Sequence, residues 1–330
     1  MNYLSGNGIP SVVLKEHCDQ WIINTTPITE RFLKFRNETM EHAKEGVLKT
    51  YQEELALNCI FLIDGVECAP NSRLHYGFDE EEWDCMLKEV NDLYPMKSLA
   101  DDVIFSIVQF AQADKQESSF SIASVYPIFL PFIDETELVT CCGTDGQAQG
   151  SAERRDSVDG NKSTSRYSDL SMNFSFDSMP EQGLLIVEIK PFEKVKNGSR
   201  PDFIKLANEM KDAIDKMVKD GMDDENITVL GVLIEGFKCT LFVMDLMYQA
   251  TTYRLVLLSV FYIPRDRHDL YVLLSSYEAL ATMRKMTYSN ARRCYAFYKE
   301  KKRTTIRHDY TVESFRNTEP SKNKHHSNVL

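Results

Sequence analysis

A chain of 330 residues with 43% hydrophobic and 11% aromatic content has enough apolar material for a sizeable core, in one large or two ordinary domains. It has no run of about 18 apolar residues, so no membrane span is expected. The start Met1-Asn-Tyr-Leu-Ser-Gly6 lacks the basic-then-apolar pattern of a secretory leader. The formal net charge of −12 is unevenly spread: residues 271–330 hold 12 Lys/Arg against 5 Asp/Glu, and that surplus of +7 leaves −19 on residues 1–270. An acidic body with a basic end argues against a whole-surface nucleic-acid binder and is compatible with one local basic contact region.

Eight cysteines (Cys18, Cys59, Cys68, Cys85, Cys141, Cys142, Cys239 and Cys294) are scattered without CxxC or Cys/His spacing. They read as free thiols in a reducing, intracellular compartment, and a cysteine-held zinc is not expected.

Residues 1–25 read as an extended lead-in. From Pro27, acceptable at a first helical position, a helical pattern runs through Phe32, Phe35, Met40, Ala43, Val47, Leu48 and Tyr51. Cys59-Ile-Phe-Leu-Ile63 predicts a short buried strand ended by the turn dipeptide Asp64-Gly65. Residues 79–93 and 99–113 predict two helices with acid-rich starts, which makes residues 1–113 a mainly helical region. Glu117-Ser-Ser-Phe120 opens a core helix within residues 114–142, with Ile122, Val125, Ile128, Phe129 and Phe132 as its stripe and Pro127 and Pro131 bending it.

Residues 143–168 contain no Ile, Leu, Met, Phe or Trp and read as a flexible insertion. Beyond it, Leu170, Met172, Phe174 and Phe176 alternate with Ser171, Asn173 and Ser175, the period of a half-buried strand. A turn over 177–183 sends the chain back through Leu184-Leu-Ile-Val-Glu-Ile-Lys190, a strand buried on both faces. Residues 202–219 predict an amphipathic helix with Phe203, Leu206, Ala207, Met210, Ile214 and Met217 on one face. Strands at 228–235, 238–246 and 252–262 follow, then a helix at 268–283, a basic helix over 284–308 and an unordered tail, 309–330. The order implies an α/β (α+β) fold, a central mixed β-sheet flanked by helices, with 169–283 as its core.

Residues i and i+2 of a strand share a side, so Glu188 and Lys190 project together. Asp169 begins the partner strand, and an antiparallel hairpin brings it to the end where Glu188 lies. Two carboxylates there suit Mg²⁺ or Mn²⁺, which acidifies a bound water and screens a phosphodiester. A neighbouring lysine can orient that water or stabilise the phosphate. The plainer alternative is a cross-strand or solvent-edge ion pair, and Lys205 and Lys211 of the next helix read as solvated, with contact to a phosphate as their alternative. No Ser/His/Asp spacing, P-loop or Rossmann glycine pattern occurs.

The run Arg166-Tyr-Ser-Asp169, the hairpin and Glu188-Ile-Lys190 resemble the Asp…Glu-x-Lys signature of the PD-(D/E)XK restriction-endonuclease-like superfamily. Glu117-Ser-Ser-Phe, Tyr126-Pro-Ile-Phe, Ile204–Asp215 and Gly231–Asp245 are similar to a group of fungal proteins of Mucor-like moulds placed in or near it. The resemblance covers residues 117–283. It implies a restriction-endonuclease-like core with an N-terminal helical elaboration, Asp169 and Glu188 as metal ligands, Lys190 as catalytic lysine and Glu117 as a further acid. The helix at 202–219 would pack beside the site. Ser168 stands where the superfamily has proline, and Asp177 is the fallback for Asp169. The implied activity is metal-dependent hydrolysis of phosphodiester bonds in nucleic acid, DNA rather than RNA. The alternative is an inactive module that binds nucleic acid or a protein partner.

Arg284, Lys285, Arg292, Arg293, Lys299, Lys301, Lys302, Arg303 and Arg307 face one acid, Glu300, in the basic helix, with Tyr288, Tyr295, Phe297 and Tyr298 interleaved. Cations with aromatics suit nucleic-acid contact, and Lys299–Arg303 reads as an import signal that favours a nuclear over a cytoplasmic site. Equally, the aromatics can pack on the body and leave a solvated basic face.

Overall fold

The computed structural model describes residues 20–65, 71–96, 125–142, 168–191, 200–222, 227–247, 252–265, 269 and 272–300. In chain order these form a two-stranded hairpin, β1 (Ile22–Ile23) and β2 (Thr26–Pro27), then α1 (Ile28–Lys44), α2 (Tyr51–Leu57), β3 (Ile60–Ile63), α3 (Ser72–Tyr76) and α4 (Glu80–Leu93). There follow α5 (Tyr126–Phe129) with a 3₁₀ turn at Leu130–Phe132, β4 (Val139–Cys142), β5 (Leu170–Phe174) and β6 (Gln182–Lys190). The last elements are α6 (Pro201–Lys219), β7 (Thr228–Glu235), β8 (Lys238–Asp245), β9 (Tyr253–Tyr262) and α7 (Leu273–Glu300).

The expected mixed α/β architecture is present. Seven strands pair in the order β3-β9-β8-β7-β6-β5-β4. β3 is parallel to β9 and β6 to β7, and the other neighbours are antiparallel. As a result β3, β4, β6, β7 and β9 all end at one edge of the sheet, while β5 and β8 begin there.

The single helix predicted from Pro27 through Tyr51 is two helices. Gly46 takes φ +72°, which a residue with a side chain adopts at a cost, and this ends the first helix. The second starts at a capping box, in which the Thr50 hydroxyl accepts from the Glu53 amide and the Glu53 carboxylate accepts from the Thr50 amide. β3 is wholly buried. Phe61 meets Phe32 at 4.9 Å and Tyr76 at 4.7 Å between ring centroids, so the N-terminal helices share the core of the main sheet.

β4 was expected to be helix. Val139-Thr-Cys-Cys142 is instead an edge strand paired with β5, a place that suits β-branched residues and that a short, non-alternating segment does not announce. The predicted helix opening at Glu117 lies outside the described residues as far as Ser124, and its remainder is the short α5 with the 3₁₀ turn at Leu130–Phe132. β5 is buried on both faces rather than one, with Ser171 only 2% and Asn173 only 7% exposed.

The cause is a helix on each side of the sheet. Gly231 of β7 faces α6, where an added Cβ would stand 2.4 Å from Met210 Sδ, so glycine permits the close approach. Thr228, three residues earlier and hence on the other face, accepts from Asn290 Nδ2 of α7 at its carbonyl (2.9 Å) and hydroxyl (2.8 Å). α7 runs unbroken through what the sequence divides at residue 283.

α6 departs from the amphipathic expectation. Its polar residues Glu209, Lys211, Asp212, Asp215 and Lys216 are buried along with its apolar ones. Lys211, expected in solvent, is inaccessible, pairs with Asp215 at 2.6 Å and lies 4.6 Å from the Tyr253 ring centroid. The Tyr253 hydroxyl donates to Asp215. Buried charges need such partners.

Candidate functional site

The C-terminal end of β6 delivers Glu188 and Lys190 to the edge where β5 begins and α6 starts. In open α/β sheets this is where ligands collect. Parallel pairing of β6 with β7 requires a crossover helix, and the crossover sets the first turns of α6 above Glu188.

Asp169 is brought to Glu188's neighbourhood as the hairpin predicts. Its amide donates to the Val187 carbonyl at 3.2 Å, and its Oδ2 accepts from the Ile189 amide at 2.6 Å. The Tyr126 hydroxyl of α5 donates to the Asp169 carbonyl at 3.2 Å and fixes the backbone there. Asp177, the fallback, is exposed in the turn at the far end of the hairpin with φ +47°, away from Glu188. Glu117 lies outside the described residues.

Lys190 is not the ammonium that meets Glu188. It reaches Asp202 in the first turn of α6 at 3.2 Å. Beside it, Arg200 pairs with Glu235 at 2.7 Å and lies over the Phe203 ring at 4.8 Å. Glu188 is held by Lys205 of α6, which the sequence reading left in solvent, at 2.5 Å from Nζ to Oε1. The same nitrogen stands 3.9 Å from Glu209 Oε1. Glu188 is 5% and Glu209 3% exposed.

Glu209 is absent from the site the sequence predicts, and Lys205 enters it only as a solvated residue or a phosphate contact. The available signal was their i, i+4 spacing beside the apolar stripe Phe203, Leu206 and Met210, on a helix that must cross over the strand before it.

The electrostatics follow from burial and crowding. Removal from water, and then the neighbouring Glu209, push the Glu188 carboxyl up to about 8; Lys205 opposes this and Asp169 adds to it. Burial works against the Lys205 charge, but Glu209, Glu188 and Asp169 together hold its ammonium above its ordinary range. The charge states of Glu188 and Lys205 thus depend on each other and on Glu209 and Asp169.

Asp169 and Glu188 have the oxygen chemistry that Mg²⁺ or Mn²⁺ prefers. Among the described residues, though, no group of three His, Cys, Asp or Glu side chains is arranged to hold a metal. The Lys205 ammonium occupies the Glu188 carboxylate, so a cation would replace it there. Asp169 and Glu188 supply the oxygen donors such an ion takes, and Lys205 would have to leave Glu188 first.

The basic helix lies on the other face of the sheet. Arg284 pairs with Asp134 at 2.7 Å, while Lys285, Arg292, Arg293 and Lys299 are exposed. Lys301, Lys302, Arg303 and Arg307 lie outside the described residues. The aromatics turn inward: the Tyr288 hydroxyl donates to the Asp134 carbonyl, Tyr295 packs on Phe176 at 5.0 Å, and Tyr298 stacks on Phe174 at 6.1 Å. That is the packing alternative, and it removes these rings from base stacking. Among the described residues no helix is long and apolar enough to cross a membrane.

Comparisons of the chain with protein-family models, with curated proteins and with solved structures return no match. The resemblance of its motifs therefore stands on the residues themselves.

Proposed function

We propose that the C-terminal end of β6 is a metal-assisted phosphodiesterase site, that the chain hydrolyses phosphodiester bonds in nucleic acid, DNA in preference to RNA, and that it is akin to the restriction-endonuclease-like superfamily. The observation that carries this reading is the meeting of Glu188 and Glu209, from a strand and the crossover helix after it, at one ammonium, with Asp169 bonded alongside.

Asp169 and Glu188 would hold Mg²⁺ or Mn²⁺. When bound, the ion supplies an acidified water and screens phosphate charge. Glu188 must lose its proton to serve as a ligand, so binding at neutral pH releases a proton. Lys205, freed from Glu188, and Lys190 at the first turn of α6 supply positive charge toward phosphate oxygens. The N-terminal dipole of α6 acts in the same sense.

One observation favours the second reading, a binding module without catalysis: Lys190 is engaged by Asp202 and Lys205 by Glu188, which leaves the cluster internally neutralised. Cleavage of plasmid and single-stranded DNA with Mg²⁺ or Mn²⁺ separates the two. On the first reading wild type cuts, and Asp169→Asn, Glu188→Gln and Lys205→Ala each lose about 100-fold or more. Absence of cutting with salt-dependent binding retained supports the module. Equal cutting by all four proteins removes the site from consideration.

A further inference from the structure

α7 carries no Asp or Glu from Ala279 through Lys299, in a chain whose overall charge is −12. Lys285, Arg292 and Lys299 recur every seven residues, two helical turns, so they form one ridge about 21 Å long. All three are exposed. Neither Lys285 nor Arg292 makes an ion pair among the described residues, and Lys299 lies 5.2 Å from the Tyr295 ring centroid. Arg284, by contrast, is turned to Asp134. A ridge of cations with no carboxylate on its own helix between Ala279 and Lys299, although Asp134 faces Arg284 and Asp220 faces Tyr298 from other elements, favours a polyanion there on an acidic protein.

The ridge is remote from the acid–lysine cluster. α7 covers the face of β7 that Thr228 lines, whereas Glu188 faces α6 on the opposite side. α7 also runs away from the site: Ser276 near its start bonds the Tyr262 carbonyl at the end of β9, and Tyr298 near its end accepts from Gln182 at the start of β6. No straight segment of polymer spans both surfaces.

We infer that the Lys285–Arg292–Lys299 ridge is an anchoring surface for the phosphate backbone of duplex nucleic acid, separate from the cluster at Glu188 and independent of any metal. It shares with the proposed function only the kind of polymer. The ligand is a backbone rather than unstacked bases, because Tyr288, Tyr295 and Tyr298 are engaged with the body and the exposed chemistry is cationic. Contact is sequence-independent and salt-sensitive.

The test is fluorescence anisotropy of a labelled DNA duplex titrated with full-length protein in EDTA at several salt concentrations. Three phosphate contacts contribute about −2.7 to the slope of log affinity against log salt. The variant Lys285→Gln/Arg292→Gln/Lys299→Gln should flatten the slope by that amount. A charge-matched control, Lys34→Gln/Lys88→Gln/Lys219→Gln, at exposed sites elsewhere, should bind as wild type does. Equal weakening by ridge and control variants would mean that net charge alone drives binding, and would overturn the proposal. So would wild type that ignores the duplex, or that binds phosphatidylserine-containing vesicles in its place. Wild type that binds the duplex through the ridge but does not cut it with Mg²⁺ or Mn²⁺ would sink the enzymatic reading alone and leave the ridge standing.

Discussion

The Ile189 amide donates to Asp169 Oδ2 across 2.6 Å, one rung past the last backbone bond of the β5–β6 ladder, from the Asp169 amide to the Val187 carbonyl. The aspartate thus closes the hairpin with its side chain at the point where Glu188 leaves the sheet. Its structural and chemical roles separate by substitution. Asp169→Asn keeps an oxygen that accepts from Ile189 while it removes the charge; Asp169→Ala removes both.

A hydrogen bond from a buried amide to an ionised carboxylate is worth about 1.5–3 kcal/mol. Urea denaturation should find Asp169→Ala less stable than wild type by about that much, and Asp169→Asn less affected. An alanine variant as stable as wild type would mean that the bond anchors nothing.

Glu188 makes stability depend on pH in a definite direction. Its carboxyl is raised from 4.5 to about 8 on folding, by burial first and Glu209 next. Between those values the folded chain holds a proton that the unfolded chain has released, so rising pH favours unfolding. Asp64, raised by burial to about 6, acts in the same sense, but only up to its own value. Lys205, held above its ordinary 10.5, contributes stability that is lost only above this range.

Denaturation of wild type and Glu188→Gln side by side between pH 6 and 8 therefore reads the Glu188 contribution. Wild type should lose stability across the interval, and Glu188→Gln should lose less. Parallel curves for the two proteins would show that Glu188 ionises normally.

The strands of the site were legible because their signals are local. The uninterrupted Leu184–Val187 run can only sit well between two covered faces, and the strands at 228–235, 238–246 and 252–262 match β7, β8 and β9 within a residue. Asp169 stands across the hairpin from Glu188 because the antiparallel register, with Leu170 opposite Val187, leaves it nowhere else to go.

What was not legible depends on partners distant in sequence. Periodicity assigns Lys205 and Lys211 to solvent. On α6 Lys211 and Lys216 are buried and Lys205 is half-buried, because α2 and the sheet cover that helix, as when Tyr51 meets Phe203 at 5.5 Å. Their counter-ions, Glu188, Asp215 and Asp220, include one from another element. For the same reason β5 read as half-buried: nothing near Ser171 or Asn173 announces the second covering layer.

The far end of the sheet holds a buried ion pair whose role is to join layers. Asp245 and Arg254 stand opposite each other in the β8–β9 register, and Arg254 Nε and Nη2 each donate to the carboxylate at 2.8 Å. The Tyr94 hydroxyl, after α4, donates to Asp245 as well. Arg254 lies 4.8 Å from the Trp21 ring centroid, and Trp21 Nε1 donates to Glu89 at 3.0 Å. Because Asp245 and Arg254 are almost inaccessible, removal of one partner strands the other's charge. Asp245→Asn should cost about 3–5 kcal/mol, and Asp245→Leu/Arg254→Met should cost less than the sum of its single changes. Strict additivity in a double-mutant cycle would mean that the two groups do not depend on each other. The pair sits at the sheet edge opposite Glu188, so a cation titration of the folded Asp245→Asn variant should match wild type, a readout that separates damage to the scaffold from damage to the site.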